Sequence, residues 1–142
     1  MAVAFDSWTL DQPGAQTSNA TVPSLTNIGI YCQVDGTATA ITSATYGGVA
    51  GTIIDTGTTN GATPSVSVVF VGVPSGSQSR DFIGGTVYTG ITITTWFLSG
   101  VSQTSPVQAH NYNTGSQSNS ITTTTSTFNI GSSRDGSPSA ST

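Results

Sequence analysis

Apolar residues recur at every second position in separate stretches of this chain, and that period most restricts its fold. In residues 25–35, Ile28, Ile30, Cys32 and Val34 share one face. Residues 65–73 form the most apolar stretch, and residues 91–101 set Ile91, Ile93 and Phe97 against Thr92, Thr94 and Trp96. A period of two sends alternate side chains to opposite faces of a strand; an amphipathic helix needs apolar residues three and four apart. No such helical pattern is convincing anywhere in the chain.

The alternating runs are short and punctuated. Further strands are expected at 2–10, 40–46, 49–56 and 80–88, the last interrupted by a bulge at Gly84-Gly85. A polar turn region at 11–21 contains Pro13-Gly14, and a loop at 57–64 contains Asn60-Gly61. Asp35-Gly36, Gly47-Gly48 and Pro74-Ser75-Gly76 supply the other turns, because Gly tolerates positive φ and Asp can bond its own backbone. Short strands at this spacing predict an all-β, two-layer antiparallel sandwich.

Beyond Ser102 the composition changes, and nearly half of the remaining residues are Ser or Thr. The expected organisation is a β-sandwich domain over 1–107 and a Ser/Thr-rich C-terminal arm over 108–142. Within the arm only 121–130 reads as a strand, anchored by Phe128 and Ile130. Residues 131–142 read as a solvated tail, too polar to offset an ordering cost of about 1–2 kcal/mol per residue.

Charge is nearly absent. Only 6% of the 142 residues are charged, there is no Lys or Glu, and the two cations are Arg80 and Arg134. A formal net charge of −4 argues against nucleic acid, whose phosphates need clustered Lys and Arg. No apolar run approaches the ~18–20 residues needed to span a bilayer. The surface must therefore be made of Thr, Ser, Gly, Asn and Gln, which offers little repulsion between copies. Residues 1–6 carry no basic, then apolar, export signal, so synthesis and folding in a cytoplasm are expected. The acceptor pattern Asn19-Ala20-Thr21 is accordingly read as chance.

Residues 5–107 resemble immunoglobulin-like sandwich modules of tailed-phage virion proteins. The resemblance rests on Tyr46-Gly47-Gly48-Val49, on the strand 66–71 followed by Pro74 and Gly76, and on Trp96-Phe97-Leu98-Ser99-Gly100-Val101 with Thr104-Ser105-Pro106-Val107 after it. Such modules generally continue with several more strands, whereas here only 121–130 remains. The resemblance thus implies a reduced sandwich or one completed by a neighbour. It implies a structural role, capsid decoration or cement, at the virion surface after assembly in the host cytoplasm. The partners would be the major capsid protein and copies of the chain itself, with no cofactor and no metal.

Chemistry is weakly signalled. Cys32 is the single cysteine and shares the apolar face of its strand, so a small core residue is the expected role. His110 is the single histidine, in a polar loop, with no Gly-x-Ser-x-Gly elbow to accompany it. Asp6, Asp11, Asp35, Asp55, Asp81 and Asp135 are scattered singly, unlike the dense loops that bind Ca²⁺. No catalytic residue is assigned.

Arg80, Trp96, Tyr112, Phe128 and Ile130 are the candidates for an interface. Arg80 and Asp81 are adjacent, so they point to opposite faces, and Arg80 is expected to meet an Asp from elsewhere in the fold or from a partner. One of the two rows of 91–101 is expected to look outward or into an interface. Two alternatives remain: a tail, fibre or baseplate adhesin binding host glycans, for which Trp8, Tyr31, Tyr88 and Tyr112 are candidates, and a subunit of a non-viral surface filament.

Overall fold

The computed structural model describes residues 2–13, 15, 17–35, 41–59, 63–83, 91–110, 129–132 and 138–141. Among them the regular elements are β1 (Ala4–Asp11), β2 (Thr17–Val22), β3 (Gly29–Asp35), β4 (Ser43–Tyr46), β5 (Val49–Ala50), β6 (Thr52–Thr59), β7 (Thr63–Val71), β8 (Gly76–Ile83), β9 (Thr92–Ser99), β10 (Asn129–Ser132) and β11 (Pro138–Ser141). No helix of the described residues is long and apolar enough to cross a membrane.

Five strands form one antiparallel sheet in the order β1-β9-β3-β7-β6, and four form a second in the order β2-β8-β4-β5. Between them lie Ile30, Cys32 and Val34 of β3, Val66, Val68 and Phe70 of β7, and Ile93 and Phe97 of β9. The second sheet contributes Val22, Ala44, Tyr46 and Phe82. Phe70 meets Tyr46 and Phe82 edge-on, with ring centroids 5.7 and 6.4 Å apart. The alternation read in 25–35 therefore points into a shared core, and the chain is an all-β sandwich.

Between β5 and β6 the chain changes sheets through a single residue, Gly51. Gly47 and Gly48, both at positive φ, close the β4–β5 hairpin, and Gly51 follows at the crossover from β5 into β6. Its N–H donates to the Ala44 carbonyl at 2.8 Å. A Cβ at Gly51 would stand 2.5 Å from Phe70 Cε1 and 2.6 Å from Val68 Cγ1. Only a residue without a side chain lets the backbone lie against the core here.

Several boundaries differ from the sequence reading. The expected turn region 11–21 contains β2, which pairs along its whole length with residues 76–81 of β8. Only Ala20 and Val22 of β2 are apolar and reach the core, too weak an alternation to mark a strand among Thr, Ser and Asn. For the same reason β8 starts at Gly76 and not at residue 80. The loop expected at 57–64 is shorter, because β6 runs to Thr59 and β7 begins at Thr63. The C-terminal residues are not wholly a solvated tail: Asn129–Ser132 pairs antiparallel with Pro138–Ser141. The expected bulge at Gly84-Gly85, and residues 121–128 of the expected last strand, lie outside the described residues.

Candidate functional site

The inner end of β1 carries the most elaborate polar cluster. Arg80 on β8 is cross-strand neighbour to Ser18 of β2 and Tyr46 of β4, and all three side chains lie in the gap between the sheets. Arg80 is 1% exposed. Its Nη2 contacts Asp11 Oδ2 at 3.0 Å, and its Nε donates to Ser18 Oγ at 2.8 Å. Nη1 of Arg80 and the hydroxyl of Tyr46 have no hydrogen-bond partner among the described residues. A buried donor left unpaired costs about 1–3 kcal/mol. The ion pair crosses the sandwich, tying the edge strand of one sheet to the interior of the other. Asp81, facing the other way, accepts a hydrogen bond from Thr17 Oγ1 at 3.1 Å.

Cys32 and Thr95 adjoin this cluster. Cys32 Sγ lies 3.6 Å from Thr95 Oγ1, and both residues are buried. Burial pushes the Cys32 thiol up to about 12, against smaller downward pulls from the Thr95 hydrogen bond and from Arg80. The thiol is therefore neutral at ordinary pH and a poor nucleophile. Burial likewise raises the Tyr46 hydroxyl to about 12.

The outer face of the five-stranded sheet holds a second apolar layer. Trp96 and Leu98 of β9 pack with Val101, under Val3, Tyr31, Val71 and Ile130. Trp96 is 2% exposed. Both rows of β9 are thus buried, and neither looks outward as expected. The reason is that Val101, Val3, Tyr31, Val71 and Ile130 pack on this face, and residues 101–106 turn back toward the sheet. Tyr31 donates its hydroxyl to the Pro106 carbonyl at 2.6 Å, and Gln103 Nε2 donates to the carbonyls of Ile28 and Val101. Gly29 allows this approach, since a Cβ there would stand 2.7 Å from Val101 Cγ2. Desolvation raises the Tyr31 hydroxyl to about 12.

The interface candidates separate on this geometry. Arg80 and Trp96 are inside the chain, on different sides of the five-stranded sheet, and are not brought together. Arg80 meets its carboxylate within the fold, and Trp96 is buried in the outer layer with Leu98 and Val101. Ile130 is half-buried against the Trp96 layer. Tyr112 and Phe128 lie outside the described residues, as does Tyr88. His110 is exposed at the end of the returning segment. Among the described residues no three His, Cys, Asp or Glu side chains are grouped to hold a metal ion.

Trp8, a candidate exposed aromatic, belongs to a row on β1 that its sequence does not reveal. Phe5 pairs with Leu98, Trp8 with Trp96 and Leu10 with Thr94, all on the outer face. Residues 5 and 8 differ in parity and would face opposite ways on a regular strand. The register shifts between Phe5 and Ser7, so Asp6 is the extra residue of a bulge that brings both to one face. Phe5, Trp8 and Leu10 are 42, 47 and 46% exposed. The signal available was three large hydrophobics in six residues that fit no single period.

No protein-family model matches the chain, and no curated protein or solved structure matches it either. The class rests on the fold itself, an all-β sandwich of two antiparallel sheets.

Proposed function

We propose that this chain is a structural protein of a tailed-phage virion, of the capsid decoration or cement type. The sandwich is read as immunoglobulin-like, on the resemblance of residues 5–107. In this reading the protein acts by contact, binding the outer shell and bridging neighbouring capsid subunits. Its partners are the major capsid protein and other copies of the chain, and the Ser/Thr-rich arm over 108–142 is the bridging element.

One observation carries the contact role. Arg80, Cys32 and Tyr46 are turned inward, while large apolar side chains are exposed along one edge strand. The packing of Ile130 onto the Trp96 layer adds support, because an arm that seats on its own sheet can seat on a neighbour's equivalent face. The test is the copy number of the protein in purified virions, by quantitative mass spectrometry. A number comparable with the major capsid protein is expected, and absence from the particle would sink the reading. A handful of copies would favour the second reading, a glycan-binding tail adhesin, which the exposed Trp8 supports because sugar rings stack on aromatic faces.

A further inference from the structure

We propose that the gap between the sheets beside Arg80 is a binding site for a single internal water molecule, held by Arg80 Nη1 and the Tyr46 hydroxyl. That water completes a polar bridge from the second sheet toward the first. The inference concerns the folded chain alone and does not rest on the virion reading.

The hydrogens of this cluster do not balance. A guanidinium carries N–H donors on all three of its nitrogens, in a fixed plane. Arg80 directs Nε to Ser18 Oγ at 2.8 Å and Nη2 to Asp11 Oδ2 at 3.0 Å. Nη1 meets no acceptor among the described residues, and the Tyr46 hydroxyl has no partner there either. Both residues are fully buried. β4 and β8 set the two directly opposite each other, which places their Cβ atoms roughly 4.5–5.5 Å apart. Arg80 Nη1 and the Tyr46 hydroxyl are thus neighbouring buried groups that do not bond each other. Buried polar groups of native proteins find a partner in protein or in ordered water, since an orphaned one keeps its whole desolvation penalty.

Cys32 and Thr95 bring a further hydrogen to the same region. They are cross-strand neighbours on β3 and β9, and one contact of 3.6 Å joins Sγ to Oγ1. Whichever atom donates, the hydrogen of the other is not used in that contact. The charge of Arg80 acts on both the Cys32 thiol and the Tyr46 hydroxyl, so these groups lie within electrostatic reach of one another.

Charge and hydrogen-bond chemistry select the occupant. It must accept from Nη1 and exchange a hydrogen bond with a phenol, and water does both. The Arg80 charge is already compensated by Asp11. A halide would therefore stand buried as a second anion beside a single cation, at a desolvation cost that nothing offsets. A cation would face the guanidinium and be repelled. Internal waters typically make about three hydrogen bonds. Nη1 and the Tyr46 hydroxyl supply two, and the spare hydrogen of the Cys32–Thr95 pair supplies the third from the five-stranded sheet.

The experiment is oxygen-17 magnetic relaxation dispersion on the full chain, which counts waters held longer than the molecule takes to tumble. Wild type is compared with Arg80→Met, Tyr46→Phe and, as a control on the outer face, Tyr31→Phe, each checked for folding by far-ultraviolet circular dichroism. Arg80→Met and Tyr46→Phe should each lose the amplitude of one long-lived water, and Tyr31→Phe should keep it, because that hydroxyl bonds the Pro106 carbonyl. Should Arg80→Met fail to fold, the two Tyr→Phe variants decide the matter. Equal amplitude in wild type and Tyr46→Phe would overturn the proposal. So would a crystal structure placing Nη1 directly on the Tyr46 oxygen or on another side chain. Chloride-35 line broadening by wild type and not by Arg80→Met would overturn it in favour of a buried halide.

Discussion

Removing either partner of the Arg80–Asp11 pair should have very unequal effects, because the two are buried unequally. The Arg80 side chain is 2% exposed and that of Asp11 38%. Asp11→Ala strands a guanidinium between the sheets, with only Ser18 Oγ still accepting from Nε. Breaking a fully buried pair this way costs about 3–5 kcal/mol. Water entering where the Asp11 carboxylate stood reduces that to about 2–4 kcal/mol, a drop in thermal midpoint of roughly 10 °C for a domain this size. Arg80→Met leaves a carboxylate that water already reaches. It also removes the unpaired Nη1 and keeps most of the buried stem, so a change within about 1 kcal/mol is expected. Thermal and urea unfolding of wild type, both single variants and the double variant give the comparison. Added salt should rescue Asp11→Ala little, since a buried charge is poorly screened. An Arg80→Met variant as unstable as Asp11→Ala would refute the reasoning and make Arg80 a packing residue whose charge is incidental.

Other perturbations test the remaining layers. Trp96→Ala should cost about 3–5 kcal/mol in urea unfolding and remove the buried, blue-shifted component of tryptophan emission; a loss under 1 kcal/mol would show that the outer layer does not hold. Gly51→Ala should destabilise by about 1–3 kcal/mol through its clash with Phe70 and Val68, and a neutral result would mean that the crossover can move aside. Cys32 favours its neutral thiol in the fold, so its contribution is complete below pH 9, its ordinary value, and is lost as pH rises toward 12. Unfolding midpoints should therefore fall from pH 9 upward, by about 1.4 kcal/mol at pH 10 from this group, and Cys32→Ala should remove that early part. Tyr31 and Tyr46 act in the same direction between pH 10 and 12. Deleting residues 131–142 should leave the circular dichroism of the sandwich intact while reducing shell attachment; retained attachment would remove the arm from the bridging role.

The strands that alternate cleanly were legible, and for one reason. β3, β7 and β9 carry the buried rows, so the core wrote its period into their sequence. β2 and β11 were not legible, because ladders rich in Thr, Ser and Asn look like turns, whereas Asn129 and Ile130 of β10 fall within the strand expected at 121–130. Arg80 could be seen to need a carboxylate, yet nothing near it in sequence marked Asp11. That partner follows from β1 closing one sheet beside β8 of the other. The covering of Trp96 was hidden as well, since Val3, Val101 and Ile130 reach its layer from three separate stretches of the chain. On β1 the bulge at Asp6 erased the parity that would have revealed Phe5 and Trp8 as neighbours.

The place of β9 between β1 and β3 also dictates when this protein can fold. The first strand to leave the ribosome has as its sheet partner one of the last strands of the sandwich, with Ala4 opposite Ser99. At a synthesis rate of about 5–20 residues per second, β1 waits roughly 5–20 s for that partner. β3 has β7 sooner but must leave its other side open for β9. Pairings between strands so distant in sequence are slow to form even after release. Through that interval Phe5, Trp8 and Leu10 stand on a strand without its sheet partner. In a crowded polysome that waiting strand is a hazard to the nascent chain, and the yield of soluble protein should fall when translation is slowed at constant temperature.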